Sequence, residues 1–300
     1  MSTQHIVNRT NENKYINLAK AQVCIYCNSK EVIKKGFRKT SLRGKQQRYF
    51  CNSCKKSFII DKGFSKMKNK ENIITMAIDF YFSNFSSREV SKKLYAYLGI
   101  KVNHITILNW VRKYSKITSK YLNNLKLNLS GAYYIDETLV SCKKNYYRFW
   151  CALDNNSKFI VASHYSKERN LKESNKFMNK IKARGKTTFL QSDGAGIYPH
   201  SIVQSFGWRK NTKIEHKIIN AQKTGKFNIP IERFFRNLRL RLKVLYSFKN
   251  KESAEIILNG FVVWYNAVRK HMKLGTTPLE YLTGMDLGDN KLLSLIYLSS

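Results

Sequence analysis

The sequence predicts an α/β protein, a mixed sheet with helices, preceded by a small zinc ribbon and an all-α helix-turn-helix segment. Three observations predict it. Two CxxC pairs stand near the start, residues 71–125 carry apolar side chains at helical spacing, and from Gly131 the period shortens to that of strands before alternating with a helix.

Three hundred residues that are 43% hydrophobic allow two or three domains with real cores. Against 19 Asp+Glu stand 55 Lys+Arg, a formal net charge of +36, far beyond what solubility needs. A partner with a dense negative field is the natural counterweight, and nucleic acid fits better than a membrane. No apolar run is long enough to span a bilayer, and the first ten residues lack the apolar core of a signal peptide. The chain is therefore expected in the cytoplasm, associated with the nucleoid. Six cysteines are too few for a disulfide scaffold, and four of them are spaced for metal in a reducing compartment.

Residues 1–20 are polar and Asn-rich and read as a loose lead-in. In 21–62, Cys24 and Cys27 are followed after 23 residues by Cys51 and Cys54. Each CxxC turn aims two sulfurs at one ion, so the four thiolates suit a closed, tetrahedral structural Zn²⁺. Fourteen Lys/Arg from Lys30 to Lys70 face only Glu31 and Asp61, with Phe37, Tyr49, Phe50 and Phe58 interleaved. That composition reads as a surface that grips phosphate. Over 70–125, Ile73, Ile74, Ala77, Ile78 and Tyr81 define one amphipathic helix. Ser87 is the expected cap of a second, which carries Val90, Leu94 and Leu98 and is closed by Gly99; Asn103 caps a third, with Ile107, Trp110, Val111 and Tyr114 on its core face. In a helix-turn-helix the second helix enters the major groove by its N-terminal end, so His104, Asn109 and Arg112, with Ile105 and Leu108, are the expected base-facing residues.

Three β-rich runs follow, 132–140, 146–153 and 159–164, joined by short turns that predict an antiparallel meander. A helix over 171–183 leads to a fourth strand, 187–193. A strand–helix–strand unit makes that strand parallel to part of the sheet and puts Asp193 at its carboxyl end, where ligand chemistry concentrates. Asp136 lies inside the first strand, where a buried carboxylate is costly unless it binds a cation.

The last chemical element is the helix expected over 228–243. Ile231, Phe235, Leu238, Leu242 and Leu245 form its apolar stripe and Pro230 marks its start. On the adjacent face Glu232 heads a column of cations, Arg236, Arg239 and Lys243. Alone, Glu232 and Arg236 read as a surface pair worth roughly 0.2–0.5 kcal/mol. Beside Asp136 and Asp193, Glu232 reads as a third carboxylate in a site for Mg²⁺ or Mn²⁺. Two such ions about 3.5–4 Å apart stabilise both the attacking and the leaving oxygen of an in-line phosphoryl displacement. Arg236, Arg239 and Lys243 then become a track for a DNA strand.

These residues carry a resemblance. Ile135-Asp136-Glu137-Thr138, Trp150-Cys151-Ala152-Leu153-Asp154, Ser192-Asp193-Gly194, Glu232-Arg233, Trp264-Tyr265-Asn266, Arg269-Lys270-His271 and Thr277-Pro278-Leu279-Glu280 make residues 131–285 resemble the catalytic core of prokaryotic insertion-sequence DDE transposases, a ribonuclease-H-like fold. The resemblance implies that Asp136, Asp193 and Glu232 bind the catalytic metal, and that Arg239, seven positions after the glutamate, contacts DNA near the active site. It also implies a two-step reaction on the element's terminal inverted repeats and target DNA, a dimer or larger synaptic assembly, and an end-recognition role for the zinc ribbon and helix-turn-helix. Residues 286–300 fall outside it as a C-terminal tail. One departure is the 38 residues between Asp193 and Glu232, more than compact members of the family have, with Glu215 as a second candidate in between. The extra length is expected as an insertion around Lys223-Thr224-Gly225-Lys226.

His200, His216 and His271 lack spaced partners and read as structural or surface residues. Cys142 and Cys151 read as buried free thiols, and Asp154 as a turn residue. Two rival readings remain: a non-catalytic zinc-ribbon and helix-turn-helix DNA-binding regulator, and a ribonuclease-H-like nuclease that stops at hydrolysis.

Overall fold

A five-stranded mixed sheet organises the larger part of the chain. The computed structural model describes residues 23–40, 44–60, 62–207, 214–219 and 228–300. These fall into two units, one of residues up to Thr75 with Gly288–Ser300, the other of Met76–Leu287. The expected lead-in at 1–20 and the insertion at Lys223–Lys226 lie outside the described residues.

In the first unit β1 (Val32–Thr40), β2 (Gly44–Cys51) and β3 (Ser57–Ile59) form an antiparallel sheet in that order. Cys24, Cys51 and Phe58 make its small core. The C-terminal stretch, read from sequence as a tail, contains helix α9 (Lys291–Ser299), with Leu292, Leu295 and Ile296 buried. Gly63 has a φ of +85°, and a Cβ there would meet Ile296 Cγ2 at 2.9 Å, so glycine is required by both backbone and space.

In the second unit the sheet order is β6-β5-β4-β7-β8, where β4 is Ala132–Cys142, β5 Asn145–Asp154, β6 Ile160–Ser166, β7 Phe189–Ser192 and β8 Glu215–Ile218. β4, β5 and β6 are the expected antiparallel meander. The turn between the first two, Lys143-Lys144, has φ of 50° and 62°, the doubly positive pattern that matches strand twist in a two-residue hairpin. After α4 (Leu171–Lys182), β7 pairs parallel with β4; after α5 (Ile197–Phe206), β8 pairs parallel with β7. A three-strand meander extended by two parallel strands is the ribonuclease-H-like α/β arrangement that the resemblance implies.

Helices α1 (Glu71–Phe82), α2 (Ser87–Leu98) and α3 (His104–Asn124) match the helical segment. The cap of α2 is Ser86, one residue before the expected Ser87. Glu89 stands three residues after Ser86, and the two exchange side-chain and backbone hydrogen bonds in a capping box that only this register allows. Gly99 in the left-handed region ends α2 and Asn103 caps α3, as expected.

This helical segment packs within the same unit as the sheet. α3 lies on α7 (Lys251–Ala267), where a Cβ on Gly260 would fall 2.7 Å from Ser115 Cβ and 2.8 Å from Phe82 Cζ. The helices can approach this closely because Gly260 has no side chain. Trp264 Nε1 donates to Asp79 Oδ1 at 2.7 Å across the same seam. Helix α6 (Ile229–Leu245) adds Arg241, whose guanidinium stacks 3.8 Å over the Tyr81 ring and donates to the Phe85 carbonyl at 2.8 Å. The short helix α8 (Pro278–Thr283) follows, closed by its own Thr277–Glu280 capping box.

Candidate functional site

Strand register brings the first two carboxylates together. Tyr134 stands opposite Gln191 in the parallel β4–β7 pair, so Asp136, two residues on along β4, and Asp193, just past the end of β7, lie toward the same end of the sheet. Asp136 is 8% exposed, and its Oδ1 accepts from the Glu137 backbone N–H at 2.8 Å. Asp193 is half-buried just past the end of β7, and its Oδ1 accepts from Ala195 N at 3.1 Å.

The third carboxylate arrives by a fixed join. Asn228, buried at the head of α6, donates through Nδ2 to the Ile135 carbonyl on β4 at 3.3 Å and accepts at Oδ1 from Gln191 Nε2 on β7 at 3.1 Å. One side chain thus stitches the start of α6 to both strands beside their aspartates. Glu232, in the first turn of that helix, is set over the same end of the sheet.

Electrostatics registers the convergence. Burial, then repulsion from Glu137, with further repulsion from Asp193 and Glu232, pushes the Asp136 carboxyl up to about 8. Glu232 pairs with Arg239 at 3.0 Å, seven residues on, rather than with Arg236 as the isolated helix suggested. Both partners of that pair are about half exposed, so it holds Glu232 weakly. Glu215 stands elsewhere. It begins β8 opposite Phe189, four residues short of Asp193 along parallel strands, a distance of about 13 Å at about 3.3 Å per residue.

Behind Asp136, on the opposite face of β4, lies a cluster that sequence reasoning passed over. The Glu137 side chain is 3% exposed; it meets Arg169 Nε at 2.5 Å and Arg148 Nη1 at 3.8 Å, and accepts from the Tyr198 hydroxyl. Burial, with Glu137 beside it, keeps that hydroxyl protonated far above the usual tyrosine range, as a donor needs. Tyr198 sits on α5, the helix that follows Asp193, so this cluster ties the strand of one aspartate to the helix after the other. Arg241 was also missed, although Phe234, Leu238 and Arg241 share helical spacing and mark it as a core-facing position.

The cysteines form the second cluster. Cys24 and Cys54 sulfurs lie 3.5 Å apart and Cys27 and Cys51 sulfurs 3.6 Å apart, and all four lie within 4.8 Å of one another. Zn–S bonds of about 2.3 Å in a tetrahedron put sulfurs about 3.8 Å apart, so the set fits zinc with little adjustment. The Cys54 backbone N–H donates toward Cys51 Sγ and pulls that thiol down to about 6, while burial and the neighbouring sulfurs push the Cys27 thiol up to about 12, so the fit to zinc rests on the sulfur geometry. Among the described residues this is the only group of three or more Cys, His, Asp or Glu side chains drawn together so tightly.

The remaining expected residues are dispersed. On α3, Asn109 and Ile105 are exposed while His104, Leu108 and Arg112 are half-buried. Arg236, Arg239 and Lys243 are exposed along α6. Asp154 is buried and accepts from the hydroxyls of Ser130 and Ser157 and the N–H groups of Ser130, Asn156 and Ser157, which is a turn role. Cys142 and Cys151 are buried free thiols. His216 bonds to Ser192 Oγ at 2.8 Å. Among the described residues no helix is long and apolar enough to cross a membrane.

Residues 130–271 match the family model described as a DDE domain. An insertion element ISM1 protein of 48.3 kDa from Methanobrevibacter smithii, itself uncharacterized, is 30% identical over 150 residues. That match takes in 45% of this chain and 36% of the relative, so the chain spans about a third of that protein's length. Among solved structures, the HTLV-2 integrase catalytic core aligns at 17% identity over 52% of this chain and 98% of its own, with a TM-score of 0.37. The BIV integrase catalytic core aligns at 20% identity over 52% and 95%, also with a TM-score of 0.37.

Proposed function

We propose that this chain, whose residues 130–271 are a DDE domain of the insertion-sequence transposase family, cleaves the ends of an insertion sequence and joins the freed 3′-hydroxyls to target DNA. The observation that supports this reading best is the state of Asp136: burial first, then Glu137, with Asp193 and Glu232 adding to it, disfavours its negative charge, a costly arrangement in a chain of net charge +36 that divalent cations relieve.

The donor set fits such ions, since Asp136, Asp193 and Glu232 offer only hard oxygens. When bound, Mg²⁺ or Mn²⁺ would supply charge neutralisation at the attacking and leaving oxygens of an in-line displacement. The chain's own residues do the rest. The Glu137 N–H orients the Asp136 carboxylate, and Asn228 fixes the approach of Glu232. Arg239, which pairs with Glu232, would be free for a DNA phosphate were that carboxylate to hold a cation, and Arg236 and Lys243 hold the neighbouring phosphates. In the first step water adds to phosphorus and the 3′-oxygen leaves as a hydroxyl, with a 5′-phosphate on the other fragment. In the second, that 3′-hydroxyl adds to a target phosphodiester and displaces the target's own 3′-oxygen, so one P–O bond forms as one breaks.

Residues 21–62 as a zinc ribbon and 70–125 as a helix-turn-helix recognise the terminal repeats, with 131–285 catalytic, and two copies pair the two ends. The work is done in the cytoplasm, on nucleoid DNA. Glu215, at the far end of β8, is the weaker candidate for the third acid. The test is strand transfer by purified protein in Mg²⁺ on DNA carrying the repeats that flank the gene. Glu232→Gln should abolish cleavage and joining, and Glu215→Gln should leave both. Cleavage without joining by the unaltered chain would favour a nuclease, and specific binding without any cleavage would favour a regulator.

A further inference from the structure

The basic face of α6 does not stop at Lys243. Glu232, Arg236, Arg239 and Lys243 stand at i, i+4, i+7 and i+11 on one face of α6, and Tyr246, three positions past Lys243, is the residue on which the helix ends. Tyr246 is 89% exposed, an unusual place for a large ring. Its backbone is stranger still. At φ 58° and ψ −70°, with Ser247 N donating to the Leu245 carbonyl at 2.7 Å, it makes a γ-turn of the strained, positive-φ kind. A bulky residue held at positive φ is strained, and such strain persists only where the surroundings impose it.

The surroundings do impose it. Directly after Tyr246 the chain is fastened to the end of β4: Phe248 N donates to the Ser141 carbonyl at 3.0 Å, Lys143 N to the Phe248 carbonyl at 2.9 Å, and the Ser247 and Ser141 hydroxyls meet at 2.9 Å. Ser141 is paired across the hairpin with Tyr146, which is 69% exposed and whose side chain leaves the same face as the Ser141 hydroxyl. Two exposed tyrosines are thus gathered where the helix meets the hairpin, beside Lys143 at the hairpin turn and at the end of the Arg236, Arg239, Lys243 row. The exposed apolar side chain on that face is Leu139, two residues before Ser141, but cations outnumber it there, and the lysines and arginines call for a polyanion. Aromatic rings interleaved with a cationic track are the chemistry that binds single-stranded nucleic acid, by stacking bases and pairing phosphates.

We propose that Tyr246, with Tyr146 beside it, is a stacking platform for an unpaired base of a single DNA strand that runs along Arg236, Arg239 and Lys243 away from Glu232. Fourteen residues of helix separate Tyr246 from Glu232, about 21 Å at about 1.5 Å per residue. The base so held lies several nucleotides from the reacting phosphate, and the platform keeps the duplex opened there. This deepens the DNA-cleaving reading and rests on it for the strand's direction, while the platform itself can be tested without catalysis.

The experiment measures binding of the full-length protein, with its zinc retained and no Mg²⁺ or Mn²⁺ added, to a short dye-labelled single strand and to the same sequence as duplex, by fluorescence anisotropy. A 2-aminopurine in the strand reports stacking. Tyr246→Ala should weaken single-strand binding about tenfold, the loss expected when one base loses its aromatic partner. Duplex binding should stay within about twofold, since phosphate contacts remain. Tyr246→Phe should retain both affinity and 2-aminopurine quenching. Tyr246→Gly should bind as weakly as Tyr246→Ala while melting at an equal or higher temperature, because glycine removes the strain; that separates loss of the ring from loss of structure. Equal losses for single strand and duplex, no loss at all, or an unaltered protein that does not bind the single strand would each overturn the proposal. A protein that cleaves no DNA yet loses single-strand binding in Tyr246→Ala would keep the platform and sink the transposase reading.

Discussion

The four cysteines and the three carboxylates are both candidate metal sites, and they are assembled in opposite ways. Each cysteine pair is held by its own CxxC turn, and the sulfurs already lie within 4.8 Å of one another. The carboxylates come from a strand, a strand end and a helix: Asp136 is pushed up to about 8 by burial first, then by Glu137, with Asp193 and Glu232 adding to it, and Glu232 leans on Arg239. A site made of two local turns needs only those turns to meet around its ion. A site made of distant like charges is positioned by the fold and completed only by its ion.

The largest expected effect would break that comparison on the cysteine side. Structural zinc sites contribute on the order of 10–16 kcal/mol of binding free energy that is also folding free energy. Cys51→Ser should therefore lose the bound zinc and make residues 23–60 sensitive to protease, while 130–271 stays resistant. Metal analysis and limited proteolysis check it, and a Cys51→Ser chain that keeps one zinc and its resistance would show that the cluster is not a zinc site.

Next comes Asp136→Asn, which should end metal-dependent cleavage yet stabilise the metal-free chain. The folded carboxyl is raised from an ordinary 3.8 to about 8, so its protonated form is the one the fold prefers. The stability tied to that proton is fully present below about pH 4 and is lost as pH rises to about 8. Asparagine has no proton to lose. The melting temperature of the variant should pull ahead of the unaltered chain between those limits and stay ahead above them, and Mg²⁺ should close the gap by stabilising only the unaltered chain. Equal melting temperatures at every pH would mean that the carboxylates do not crowd as described.

The smallest effect sharpens the comparison. Asn228 positions Glu232 without being a candidate ligand, so Asn228→Ala should leave the fold in place and raise the Mg²⁺ concentration needed for half-maximal cleavage by about tenfold, as loss of a supporting residue around a metal does. A drop in maximal rate with no change in that concentration would assign Asn228 a different role.

The sequence made some of this legible and hid the rest for physical reasons. Strand alternation and tight turns revealed the β4–β6 meander, and the cysteine spacing revealed the sulfur cluster, because both are set within a few neighbouring residues. The cap of α2 was misplaced by one residue because Ser86 and Ser87 are adjacent and only Glu89 tells them apart. The stretch 286–300 read as a tail because its helix becomes visible only with the residues it packs on. Asn228, Glu137 and Tyr198 carry ordinary residue types at unremarkable spacings; what they do depends on partners from 37 to 93 positions away.

By itself, then, the sequence determined the chain's charge, its cysteine knuckles, its α/β character and the carboxylates worth watching. Only the tertiary structure decided that Asp193 and Glu232 come near enough to Asp136 to press on its carboxyl, that Glu215 begins β8 opposite Phe189, and that α6 starts where Asn228 pins it. Periodicity and turn chemistry act over a few residues, whereas register between parallel strands and the seating of a helix on a sheet are fixed by contacts that close long loops.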